Sequence, residues 1–458
     1  MRIDEYKRIH CLGIGGIGLS AVAEILADNG HIVSGTDINP SKVTRHLESI
    51  GIKVYSSHEP ENVEDVDAIV YSAAVSDENP EVIRAHELGI PLFSRAEVLG
   101  MIMENYDNSV AICGTHGKTT VTSMTSLILR NANYKPTILV GGNLPQIHGN
   151  VEIGENTYFV TEACEYMDSF LQLIPSIGVI LNIDSDHLDY FKDMDHIVKS
   201  FSTFVEQIPE DGIIIAYGDN PFVKSILKGH SNKITYGYSE SNAFYAENIV
   251  FNESGFPSFD ICHKGSKVTN IQLSVPGEHN VLNAMAAFVT AAYLKVDIET
   301  IRETLAEYRG TNRRFDFNGC TDKGVIIIDD YAHHPTEIKA TLSAAKNVKH
   351  NKLWLIFQPH TYTRTKALFD EFVDSFDDTD TLILTDIYAA REKDVYDISS
   401  YKLASAIKQK YPGKEVYYVK DFEDIVNYIR KVAQKDDIFM TMGAGDVYKI
   451  GEMLLGKE

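Results

Sequence analysis

Apolar residues recur along this chain in short runs, each ending in a polar or glycine-bearing loop and each followed by residues with helical spacing. The runs at 8–12, 109–113, 157–161, 177–181, 325–329 and 353–357 read as buried strands. Leu19-Ser20-Ala21-Val22-Ala23-Glu24-Ile25-Leu26 and the segment beginning near Val121 read as helices that follow two of them. Strand, loop and helix repeating at both ends of a chain is the pattern of doubly wound α/β units, in which helices cover both faces of a mostly parallel sheet. The expected fold is therefore α/β in three domains. An N-terminal Rossmann-like domain covers 1–98, a central P-loop ATPase-type α/β domain covers 99–311, and a C-terminal Rossmann-like domain covers 312–458. The last joint falls near Arg309-Gly310-Thr311-Asn312. Open parallel sheets bind ligands at the carboxyl ends of their strands, so the loops there are where chemistry is expected.

The 458 residues suit three domains at about 150 residues each. With 44% hydrophobic and 23% charged residues the composition is that of an ordinary globular protein. Residues 1–6 mix acid and base, and no apolar run approaches the ~18 residues of a membrane span, so a cytoplasmic protein without membrane attachment is expected. The five cysteines, Cys11, Cys113, Cys164, Cys262 and Cys320, have no Cys-x-x-Cys spacing and imply neither disulfides nor zinc. A net charge of −23 argues against nucleic acid and anionic membranes as partners, since neutralising phosphates takes a basic surface. Anionic ligands must then be met by local sites.

Three such sites stand out. Strand 8–12 runs into Gly13-Ile14-Gly15-Gly16-Ile17-Gly18, with Asp37 ending the next strand. Glycines let backbone approach a diphosphate, and the helix behind them offers free N–H groups. The motif points to a nucleotide diphosphate without choosing between NAD and another nucleotide, and a tight structural turn is the plainer alternative. Ser72 and Arg95, in 71–75 and 93–97, lie at neighbouring strand ends. In the centre, strand 109–113 leads into Gly114-Thr115-His116-Gly117-Lys118-Thr119-Thr120, similar to a P-loop, although Ile112 occupies the position of its first glycine. Such a loop wraps phosphates in amides, its lysine reaches the β and γ phosphates of ATP, and the next hydroxyl binds Mg²⁺. Glu162 at a strand end, and His187 within 182–189, supply further metal donors. Asn280 and Asn283 share a helix face and suit a purine edge, with helix capping the alternative for Asn280. In the last segment Arg314, Asp330, Tyr331, His333, His360 and Arg364, with 387–393 and 443–446, cluster at strand ends and read as a site.

The stretches GIGGIGLS, GTHGKTT, EACEYMDSF, NIDSDHLDYF, GEHNVLNAMAA, RGTNRRF, DDYAHHPTE, QPHTYTRT, IYAAREK and MGAGD, in this order over nearly the whole chain, closely resemble the Mur ligase family. The resemblance implies ATP- and Mg²⁺-dependent joining of L-alanine to the lactyl carboxylate of UDP-N-acetylmuramic acid through an acyl phosphate, in cell-wall precursor synthesis, by a monomer or homodimer. A sibling activity, reattachment of a recycled peptide to the same UDP-sugar, is the alternative within the family. Gly15, Gly16, Ile17 and Gly18 would hold the UDP diphosphate, with Asp37, Ser72 and Arg95 beside them. Gly114 to Thr120 would wrap ATP, Thr119 and Glu162 would hold one Mg²⁺, and His187 a second. Asn280 and Asn283 would meet adenine, Asp330 the ribose and Arg314 the γ-phosphate, while Tyr331, His333, His360 and Arg364 would form the alanine end. Lys118, His187, Arg314, His333 and Arg364 are the catalytic expectations. Some relatives carry an arginine where Thr361 stands, and related ligases carry a carbamylated lysine that no position here matches. From other classes, a nucleotide-dependent oxidoreductase leaves the P-loop, Glu162 and His187 unexplained, and a non-catalytic nucleotide sensor leaves the whole acting set unused. Residues from both sides of the joint near Thr311 must surround one phosphate, so closure of the third domain on the second is expected.

Overall fold

The computed structural model describes residues 2–457 apart from 73, 74, 189 and 391; Asp189 of the acidic stretch and Arg391 of 387–393 thus lie outside the described residues. The strands form three sheets. In the first, β1 (Arg8–Leu12), β2 (Ile32–Thr36), β3 (Lys53–Tyr55), β4 (Ala68–Tyr71) and β5 (Leu92–Ser94) are parallel in the order β3-β2-β1-β4-β5. The order reverses between β1 and β4, and a crevice opens at such a switch point because the two loops leave in opposite directions. The glycine loop follows β1 and Ser72 follows β4, so both face that crevice.

The second sheet has ten strands: β6 (Asn108–Cys113), β7 (Thr137–Leu144), β8 (Gly149–Glu152), β9 (Tyr158–Glu162), β10 (Ile177–Ile180), β11 (Ile213–Tyr217), β12 (Lys233–Gly237), β13 (Phe244–Phe251), β14 (Pro257–His263) and β15 (Ser266–Gln272). Their order is β15-β14-β13-β12-β11-β10-β6-β9-β7-β8. β6 lies between β9 and β10, parallel to both, with Ile112 opposite Glu162 and Cys113 opposite Ile180. The P-loop, Glu162 and the loop after β10 therefore leave the sheet side by side. β6 is buried on both faces, which explains its unbroken apolar run. The antiparallel extension through β13, β14 and β15 alternates buried and exposed positions only weakly, and the sequence patterning does not announce it.

In the third sheet, β16 (Asp316–Cys320) is an antiparallel edge. β17 (Ile326–Asp330), β21 (Ile438–Met442), β18 (Leu353–Phe357), β19 (Thr381–Leu384) and β20 (Glu415–Tyr418) follow it in parallel. Asp330 and Phe357 both pair with Met442, which brings the loops after β17, β18 and β21 together.

Three expected boundaries move. The helix after the glycine loop begins at Ile17 rather than Leu19, and the one after the P-loop at Lys118 rather than near Val121, because the loop amides themselves form the first turn. The division after residue 98 cuts the helix Arg95–Met103. That helix belongs to both bodies: Val98, Leu99, Ile102 and Met103 are buried in one apolar core that runs from Ile3 to Leu227. Gly100 lies so close to the turn Tyr166–Gln172 that a Cβ would fall 2.1 Å from the Gln172 carbonyl oxygen. The first sheet thus gives way to the second between Met103 and Asn108. No helix among the described residues is long and apolar enough to cross a membrane.

Candidate active site

At the first crevice the amides of Gly13 and Ile14 donate to Thr36 O at 2.8 and 3.2 Å, and Gly16 donates to Gly13 O. The Gly15 amide donates to Asp37 Oδ2 at 2.9 Å. These bonds stiffen the turn and leave the amides of Ile17 and Gly18, at the start of the helix Ile17–Asp28, without a recorded partner among the described residues. That is where an anion gains most from a helix N-terminus. A Cβ on Gly18 would stand 3.3 Å from Arg95 Cδ, and one on Gly13 would stand 2.9 Å from Ser72 Oγ. Asp37, Ser72 and Arg95 are thus gathered around one loop, beside a cleft of about 380 Å³. Gly15 differs from expectation: its α-carbon faces Asp37, 2.7 Å from where a Cβ would sit, rather than open space.

In the P-loop, Gly114 and Gly117 take φ of 142° and 90°, which other residues rarely adopt. The loop is anchored to the strand end after β10: Thr115 N–H donates to Asn182 O, His116 N–H to Asn182 Oδ1, and Asp184 N–H to Thr115 Oγ1. The Lys118 ammonium turns inward to the carbonyls of Gly114 and Thr115 and to both oxygens of Glu165, at 3.0 and 2.8 Å. Burial opposes its charge, but Glu165 together with Cys164 and Glu162 outweighs burial and raises the lysine well above its ordinary range. Glu162 accepts from the Gly141 amide, where a Cβ would fall 2.7 Å from both carboxylate oxygens, and one on the adjacent Gly142 would stand 3.5 Å from Thr119 Cγ2.

A cavity of about 430 Å³ lies between the second and third sheets and touches Gly117, Thr120, Asn280, Asn283, Arg314 and Asp330. Asn280 lies inside the helix His279–Tyr293 rather than capping it; its amide donates to Pro276 O and its oxygen accepts from Asn283. Asn283 Oδ1 faces Gly117, 2.6 Å from where a Cβ would sit. Asp330 is buried, which pushes its carboxyl up to about 6 against the pull of Arg314, and its oxygens accept from the amides of Phe315 and Ala332 at 2.7 Å. The carboxylate therefore braces the joint as well as lining the cavity.

The third group meets the second at Asp186. Arg364 donates to Asp186 Oδ1 through Nε and Nη2 at 3.0 and 2.9 Å, and its Nη1 lies 3.2 Å from His360 Nδ1. His360 stacks on Tyr388 and meets the His333 ring edge-on. Burial, with Arg364 next, lowers His360 to about 4, and burial lowers His333 to about 3. Both are neutral at pH 7. His333 Nδ1 lies 2.9 Å from Tyr331 O, a carbonyl that only accepts, so this nitrogen carries the proton and Nε2 is left with a lone pair. The Arg314 guanidinium lies 5.2 Å from the Tyr331 ring centre. His187, at φ 53°, packs on Tyr166 and places Nε2 3.8 Å from Glu165 Oε1.

Glu165 and Glu337 were missed by sequence reasoning, and Asp186 was read only as one member of the acidic stretch 182–189. Each stands within a quoted stretch but in a turn or a first helical turn, where no period marks it. Among the described residues, His116, Asp184 and His334 form a group with metal-ligand spacing. Its donors are already committed: His334 Nε2 lies 2.7 Å from Ser185 O and its Nδ1 accepts from the Thr336 amide, while His116 bridges Asp184 and Glu337 at 3.1 Å each. Burial works against a charged His116, but these carboxylates raise it to about 9. A doubly bonded imidazolium has no lone pair for a metal, so this group is a fastener between the second and third sheets.

Comparison with known proteins agrees with this layout. Residues 8–107 match the family model "Mur ligase family, catalytic domain", 112–291 match "Mur ligase middle domain", and 313–445 match "Mur ligase, glutamate ligase domain". The UDP-N-acetylmuramate–L-alanine ligase of Acetivibrio thermocellus is 51% identical, over 99% of this chain and 96% of that protein. The ligase of the same name from Caldanaerobacter subterraneus is 48% identical, over 99% and 98%. Among solved structures, the UDP-N-acetylmuramate-alanine ligase of Thermotoga maritima superposes with a TM-score of 0.82 at 28% identity, and the murein peptide ligase of Psychrobacter arcticus with 0.71 at 25%; each alignment covers 98% of both chains. A glycine loop at a helix N-terminus, a P-loop and a third sheet with arginine and histidine at its strand ends, each in the span of its own family model, have one common explanation: the chain belongs to the Mur ligase family.

Proposed function

We propose that this protein joins L-alanine to the lactyl carboxylate of UDP-N-acetylmuramic acid, with ATP converted to ADP and phosphate. The carrying observation is that the P-loop lysine and the guanidinium of Arg364 on the third sheet end on two carboxylates, Glu165 and Asp186, that lie on either side of the His187 imidazole. The identity of about half to ligases of that name supports the same substrates.

In this reading the amides of Ile17 and Gly18, with Arg95, hold the UDP diphosphate. The amides of 114–120 wrap the ATP phosphates, Asn280 and Asn283 meet the adenine, and Asp330 the ribose. Thr119 and Glu162, hydroxyl and carboxylate beside the Gly141-Gly142 pair, suit one magnesium ion, and the His187 imidazole suits a second. Bound there, Mg²⁺ supplies the positive charge that offsets phosphate charge during transfer. Lys118 and Arg314 add fixed positive charge where it builds up as the lactyl carboxylate attacks the γ-phosphate. The alanine amine then displaces phosphate from the acyl phosphate; neutral His333 is placed to accept its proton at Nε2, and Arg364 and His360 orient the amino acid. Every assigned group comes from one chain, so a monomer suffices, and the ATP and UDP-sugar requirements fit the cytoplasm.

Phosphate release should require UDP-N-acetylmuramic acid and L-alanine together, with an amide product. Turnover with a peptide in place of alanine would favour the recycling activity, and NADH oxidation without phosphate release would refute ligation outright.

A further inference from the structure

An ammonium has three protons, and Lys118 spends all of them inside the protein, on two carbonyls and on Glu165. None is left for a phosphate. Glu165 grips the lysine with both oxygens and is 3% exposed, so it stands where an anion bound to the P-loop would be answered. Nucleotide entry therefore requires Lys118 to exchange one anion for another. The exchange would leave Glu165 as a buried carboxylate without a counter-charge, which is strongly unfavourable unless another cation arrives.

The surroundings provide for that cation. His187 Nε2 lies 3.8 Å from Glu165 Oε1, too far for a hydrogen bond and near the separation of two donors that share one ion. Asp186, 3.9 Å from the same His187 nitrogen, is already held by Arg364 and is not free to replace Glu165. The turn carrying Glu165 is itself held: Asp168 accepts from Tyr190 and Ser200, fixing the left-handed pair Met167 and Asp168. We propose that Glu165 is an exchangeable ligand, bound to Lys118 in the nucleotide-free protein and to a divalent cation shared with His187 once phosphates have taken the lysine. The inference rests on the ligase reading for the role of His187, and it makes nucleotide and second-metal binding mutually dependent.

Counting bound Mn²⁺ by electron paramagnetic resonance, on the full chain with a non-hydrolysable ATP analogue, tests this without turnover. The wild type should hold two ions. Glu165→Gln should hold one at wild-type affinity and the other at least ~10-fold more weakly. In chelator, with no divalent ion present, the same variant should bind the analogue more tightly than wild type, because the internal competitor has gone. His187→Ala should lose the same ion yet bind the metal-free analogue as wild type does. Glu165→Asp, which keeps the charge but shortens the reach, should also weaken the second ion and covers the case of a Gln variant that does not fold. Two Mn²⁺ at wild-type affinity in either Glu165 variant, or metal-free affinity no tighter in Glu165→Gln, overturns the proposal. A wild type that releases no phosphate with both substrates would instead refute the ligase reading, so the two failures are distinct.

Discussion

Removing the Lys118 ammonium takes away a charge that both the loop carbonyls and Glu165 are arranged around, while the glycine loop proposed for the UDP diphosphate belongs to another sheet. Lys118→Ala should therefore lower turnover by ~10²-fold or more yet leave the UDP-N-acetylmuramic acid affinity measured by calorimetry near wild type. Gly15→Val should do the reverse and weaken the UDP-sugar first, because its Cβ would displace Asp37 and with it the bond that shapes the turn. The opposite pattern of heats would refute the assignment of the two loops. At this scale the sequence was legible where an apolar run breaks into a polar loop: Lys118, Glu162, His360 and Arg364 each lie at or just beyond such a strand end in the structure. It was silent on Glu165, which follows its strand within a turn whose next residues are left-handed, and on Glu337, whose partner His116 is far away along the chain.

Elements carry the same lesson in a different form. Strands buried on both faces, such as β6 and β18, announced themselves as apolar runs, whereas the antiparallel strands β13 to β15 did not, since only one side of them meets a core. Both glycine loops follow the strands expected of them, but their helices start earlier than the apolar period suggests because the first turn is made of loop residues. This makes Gly117 a sensitive position. A side chain there would need φ near 90° and would put a methyl group 2.6 Å from Asn283 Oδ1. Gly117→Ala is expected to raise the KM for ATP ~10-fold or more and to cost about 1–2 kcal/mol of stability in denaturant titration. An unchanged KM would show that Asn283 is not part of the nucleotide site.

For the whole molecule, the expected contact between the second and third domains is already made in this structure, through His116 to Glu337, Thr336 to Asp184, His334 to Ser185 and Arg364 to Asp186. His116 holds its proton to about pH 9 against an ordinary 6.5, so its contribution is complete below about 6.5 and is lost as pH rises towards 9. His333 and His360, lowered to about 3 and 4, act in the other direction and oppose folding as pH falls from about 6.5 to about 4. The free protein should accordingly be most compact near neutrality. Its radius of gyration by X-ray scattering should grow at pH 9.5, and Glu337→Gln should show that growth already at pH 7.5. A radius independent of both pH and Glu337 would mean that the fastener contributes nothing. The helix Arg95–Met103 has a consequence for dissecting the molecule. A stand-alone fragment ending at residue 98 would lose Leu99, Ile102 and Met103 from its core, each worth about 1.5–3 kcal/mol of burial, and should be recovered as aggregate. A fragment ending at 107 keeps all three, although it bares the face that packs on Phe170 and Phe201, and should aggregate less than the one ending at 98.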